Sequence, residues 1–167
     1  VEGTPTGTVT YERGGLVANQ WSIVSAPVAG QNVKDFVENS ANDIRINTTV
    51  TPNRYAVAYY DDSQAVGSKW VYYDVDFLAN NPNTTFEIGR SYAMSRGTNG
   101  SVTFTGTLEV TTVNKSVTAS EWNAIGNPFT AFIPANQNSN SNFINDNLAS
   151  FDPLSVGVYI WDNTQSR

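Results

Sequence analysis

The sequence predicts an all-β fold: one antiparallel β-sandwich domain of jelly-roll-like form over residues 1–167. Three observations predict it. Thr, Asn, Ser, Tyr and Val fill the chain, and these residue types favour strands and turns over helices. Apolar and polar residues alternate with a period of two in one run after another. Turn residues separate those runs at about ten-residue spacing, the pattern of a sandwich.

Taken in order, "GTVTYER" (7–13) opens the sheet, and the segment from Trp21 begins a further strand. "GQNVKDFVENSANDI" (30–44) is the one helix-like patch. Val33, Phe36 and Val37 stand there at i, i+3 and i+4, and Asn32 is placed to cap a turn or two. "RYAVAYYDD" (54–62) is a strand, and so is "KWVYYDVDF" (69–77). In the latter, Val71, Tyr73, Val75 and Phe77 are expected on one face, and Trp70, Tyr72, Asp74 and Asp76 on the other. "TFEIG" (85–89) and "SYAMSR" (91–96) read as short strands. In "SVTFTGTLEV" (101–110), Val102, Phe104, Leu108 and Val110 share a buried face interrupted by Gly106. "ANQNSNSNFINDN" (135–147) reads as a long surface loop pinned by Phe143 and Ile144, and "VGVYIWDN" (156–163) as a last strand. Turns fall at Pro52-Asn53, at Asn80 to Asn83 and at Asn99-Gly100.

The chain also repeats itself. Trp21 and Trp122 stand 101 positions apart, and so do Pro27 and Pro128, Val57 and Val158, Tyr60 and Trp161, and Asp61 and Asp162. One offset holding at both ends of so long a span points to an internal duplication with a unit of roughly 100 residues. The units are expected at about 7–99 and 100–167, the second incomplete, its missing strands truncated or supplied by another segment or chain.

Composition narrows the function classes. The formal net charge is −6 and the pI about 4.4, so a phosphate backbone would be repelled and nucleic acid is not an expected partner. Lys34, Lys69 and Lys115 are the only lysines. There is neither a basic stripe for anionic lipid nor an apolar run of membrane-spanning length, so membrane insertion is not expected. No signal peptide stands at "VEGTPTG"; a targeting segment is expected to have been removed or to lie outside the sequence. Cysteine and histidine are absent, which excludes disulfides, thiolate metal sites, Cys nucleophiles and Ser-His-Asp triads. Catalysis would have to rest on carboxylates, a lone lysine or a bound metal.

The run "WNAIGNPF" (122–129), followed by "YIWDN" (159–163), resembles β-rich modules of secreted and cell-surface proteins of the Bacteroidetes. In those proteins, such modules often precede a C-terminal sorting tail read by the type IX secretion system. The tail is not in this sequence. The first copy departs from the motif at Ser22, Ser25 and Ala26. The resemblance implies an extracellular or cell-surface setting beside other domains of a larger protein, and it carries over no catalytic residue.

Candidate chemistry comes from aromatic and acidic residues. Trp70 and Tyr72, opposite the apolar face and beside Asp74 and Asp76, suit glycan recognition, in which a ring stacks on the C–H face of a sugar while carboxylates accept from hydroxyls; the alternative is that a second sheet or the neighbouring unit covers this face. Tyr60 and Trp161, equivalent in the repeat, join this set. Asp61 and Asp62 offer oxygen ligands to Ca2+ without any EF-hand spacing, so no cofactor is otherwise expected. The same carboxylates do not make a glycosidase signature by number alone. Trp21 and Trp122 offer sugar-stacking platforms, but read first as core anchors of strand starts, since Val24 and Ile125 follow at matching places. Asn47, Asn83, Asn99 and Asn114, each beginning an Asn-x-Ser/Thr run, read as polar turns. The expected function is a non-catalytic module for adhesion or carbohydrate binding, with polysaccharide or a surface glycan as partner. The alternatives are a structural spacer beside a catalytic or adhesin domain, and a fragment of a polysaccharide-degrading enzyme.

Overall fold

A computed structural model describes residues 6–119, 121–135 and 141–160. The chain is strand-rich, with two antiparallel sheets and few helices. The first sheet has the order β1-β8-β3, built from β1 (Val9–Leu16), β8 (Gly100–Leu108) and β3 (Val28–Ala29). The second has the order β2-β7-β5-β4, from β2 (Trp21–Ser25), β7 (Ser91–Ser95), β5 (Arg54–Tyr60) and β4 (Ile46–Asn47). β6 (Trp70–Asp74) pairs with the other edge of β5.

One core cluster draws on both sheets. Val102 and Phe104 come from β8, and Val24, Val57, Tyr73, Tyr92 and Met94 from the second sheet. The period of two explains the choice: Thr103 and Thr105 alternate with the buried pair on β8 and point away. Helix α1 (Val33–Glu38) adds Val33, Phe36 and Val37, all buried. Its start is fixed by Asn32, whose side chain accepts from the Asp35 N–H at 3.0 Å. Phe86 joins the layers through ring contacts with Phe36, Tyr92 and Phe104 at 4.9, 4.8 and 5.6 Å.

Four expectations are corrected. The strand from Lys69 ends at Asp74, and Val75–Asn80 forms helix α2. The Asp74 carboxylate accepts from the Phe77 N–H at 2.7 Å, so Asp74 caps a helix where alternation suggested more strand. The period then changes to that of a helix: Leu78 becomes the buried residue and Phe77 is left exposed. Residues 85–89 form no strand; only Thr85 makes an isolated bridge, to Asn32. Residues 156–160 carry no strand, and 161–163 lie outside the described residues. Trp21 and Trp122 are not core anchors: Trp21 lies on the face of β2 opposite Val24, and Trp122 is 63% exposed.

Candidate functional site

Directly opposed residues of neighbouring strands share a face, so the register identifies what stands on the outer side of the second sheet. On β6 and β5, Trp70 opposes Tyr60 and Tyr72 opposes Ala58. Ala58 opposes Ala93 on β7, and Ala93 opposes Ile23 on β2, with Trp21 opposite Ser95. Ala58 and Ala93 are buried yet stand outside the core cluster, because they form the floor of this outer face. β2 and β6 are three strand spacings apart, about 14 Å. The rings of Trp21 and Tyr72 nevertheless meet edge to face with centroids 5.8 Å apart, leaning inward over the small floor residues. Tyr60 and Trp70 form a second such pair at 5.4 Å. Tyr72 remains exposed, and Trp21, Tyr60 and Trp70 are half-buried.

The structure therefore brings Trp70, Tyr72 and Tyr60 together as the sequence suggested. It adds Trp21, for which the sequence favours a core position over a sugar-stacking one. Alternation of Trp21 and Ile23 with Ser22 and Val24 separates the two faces of β2. Only the pairing with β7 shows which face is outward.

The carboxylates are engaged elsewhere. Asp74 caps α2, and Asp76 lies in its exposed first turn, off the strand that carries Trp70 and Tyr72. Asp61 closes its own loop: its carboxylate accepts from the Gln64 side chain at 2.7 Å and from the Ser63 hydroxyl and N–H at 2.7 and 3.0 Å. The bonds from Gln64, then Ser63, hold its pKa below the ordinary carboxylate value. Asp62 pairs with the Lys69 ammonium at 2.7 Å, and Glu121 reaches the same ammonium at 3.2 Å. Hydrogen bonds to Asp62 and then Glu121 raise the Lys69 pKa, so it stays charged. No group of three or more acidic side chains placed to hold a metal ion occurs among the described residues. Trp161 lies outside the described residues.

One end of the outer face is crossed by residues 121–127. Glu121 is tied to Lys69 beside β6, the Ala124 carbonyl accepts from the Ser91 N–H at 3.2 Å, and the Gly126 N–H donates to the Gly89 carbonyl at 3.0 Å. The Ser25 hydroxyl on β2 then donates to the Asn127 carbonyl at 3.0 Å. Gly126 is required at this crossing, since a Cβ there would collide with the Arg90 carbonyl and with Ser25. Next to the crossing, Trp122 meets Tyr159 edge to face at 5.0 Å, both rings largely exposed.

Among the described residues, no helix is long and apolar enough to cross a membrane. No family model, curated protein or solved structure matches this chain.

Proposed function

We propose that this chain is a non-catalytic module that binds carbohydrate, and adheres through it, on the outer face of the second sheet. The observation that carries the reading is the placing of Trp21, Tyr72, Trp70 and Tyr60 around an Ala58–Ala93 floor, on the side of the sheet away from the core. Aromatic rings there keep apolar surface at the solvent boundary, and sugars offer a matching C–H face. The proposed setting is a secreted or surface-attached protein of a Bacteroidetes-like bacterium, exported by the type IX system. It rests on the resemblance of the Trp122–Phe129 motif.

The two sheets sharing one core support a sandwich as the finer architecture. The duplication is part of the same proposal. Ser25 and Gly126, equivalent under the 101-residue offset, lie against one another. A second reading, a spacer beside neighbouring domains, draws on uncovered apolar side chains such as Leu154 and Ile160.

Retention of the protein on a polysaccharide array tests the proposal. Clear retention on a glycan, lost in Trp70→Ala with an unchanged thermal melt, is the expected result. A protein that is retained on no glycan, or a Trp70→Ala variant that binds as well as the parent, rejects it.

A further inference from the structure

Resting on the carbohydrate-binding reading, we infer that the ligand is an internal stretch of a long neutral polysaccharide, held along a track of three aromatic pairs. The first pair is Trp21 with Tyr72, and the second is Tyr60 with Trp70. Tyr72 and Trp70 alternate on one face of β6, so their backbones are about 7 Å apart along the strand. The third pair is Trp122 with Tyr159. It is tied to the second through the chain itself: Lys69 precedes Trp70, Glu121 precedes Trp122, and the two charged groups meet at 3.2 Å. Trp122 is 63% and Tyr159 70% exposed. A ring pair that supports the fold would be covered, whereas one that meets a ligand must be reachable. A lone sugar needs one platform; three in series suit a chain.

The charges along the track select against acidic chains. Asp62 and Glu121 together outnumber the one ammonium between them, and the whole chain carries −6. The Arg90 guanidinium is engaged by Glu87 at 3.1 Å and sits over the Tyr59 ring, so it does not offset that excess. Uronates and sulfated sugars would meet net repulsion, and neutral sugars would not.

Titration calorimetry with β-1,4-linked gluco- and mannooligosaccharides, from disaccharide to hexasaccharide, and with polygalacturonate, gives the test. Affinity is expected to rise with length by about fivefold to tenfold for each further pair engaged. Trp122→Ala and Tyr159→Ala should each remove the last step of that rise. Polygalacturonate should not bind at low salt. Binding that is independent of length, unaffected by both substitutions, or strongest for polygalacturonate overturns the track while leaving a carbohydrate site in place. Failure to bind any of these sugars, or any glycan on the array, overturns both.

Discussion

Gly106 breaks the apolar face of β8, and the structure gives the reason. A Cβ at this position would overlap the Ala29 carbonyl oxygen, because β3 runs against β8 through Val28–Leu108 and Ala29–Thr107. Gly106→Ala should therefore cost about 1–3 kcal/mol, the usual penalty for overpacking. Gly14→Ala, with open space around its Cβ position, is the matched control. Denaturant midpoints of the two variants check this; equal midpoints would mean that β3 does not lie where it is placed. Other residues act through polar bonds that the sequence does not announce. Asn42, buried in the loop after α1, donates to the Phe36 carbonyl at 3.0 Å and accepts from the Thr103 N–H at 2.9 Å. The buried Arg96 side chain donates to the Asn42 and Ala41 carbonyls at 2.8 and 3.0 Å. These bonds satisfy groups that would otherwise be costly to bury, and they staple the loop to both sheets.

Strands β6 and β7 place Tyr73 and Tyr92 side by side within the core. Burial raises both phenol pKa values, that of Tyr92 to about 12. The folded state therefore keeps protons that the unfolded chain releases above about pH 10. The tyrosine contribution is complete below that value and is lost as the pH rises toward the folded pKa. Lys69, also raised, acts in the same direction, since its ion pairs with Asp62 and Glu121 vanish once the amine is neutral. Urea midpoints should be level from pH 8 to 9.5 and fall steadily above it. Tyr92→Phe should flatten that fall, and an unchanged slope would show that the phenol is not buried. Element ends were less legible than element faces. "YDVDF" alternates like a strand, yet the Asp74 bond to the Phe77 N–H and the burial of Leu78 turn it into α2.

Across the molecule, coverage is uneven. The buried core cluster runs from Leu16 to Phe104 with Leu108 packed against it, and among the described residues none after Leu108 joins it. Beyond β8, Leu154 is 93% and Ile160 88% exposed, and residues 156–160 join no ladder. Local stability should follow this division. In dilute protein, amides of 57–59 and 91–95, in the interior of the second sheet, should exchange slowest. Amides of 156–160 should exchange near the rate of an open chain. Slow exchange at 156–160 that disappears on dilution would indicate that another chain pairs there. Protection that persists at low concentration would contradict the arrangement described.

What the sequence by itself determined was which residues travel together. The alternation on β8 separates Val102 and Phe104 from Thr103 and Thr105, the spacing of Val33, Phe36 and Val37 makes the buried side of α1, and Asn32 marks its start. Composition removed whole classes of chemistry, because no histidine or cysteine exists to perform them. Only the tertiary structure decided which side of a strand is covered. A period of two divides Trp21 and Ile23 from Ser22 and Val24, but both sets carry apolar residues, so pattern alone does not rank them. Pairing with β7 turned Val24 toward the shared core and left Trp21 outside, within reach of Tyr72. Burial depends on which strands become neighbours, and those contacts join residues far apart in the chain, beyond the reach of any local periodicity.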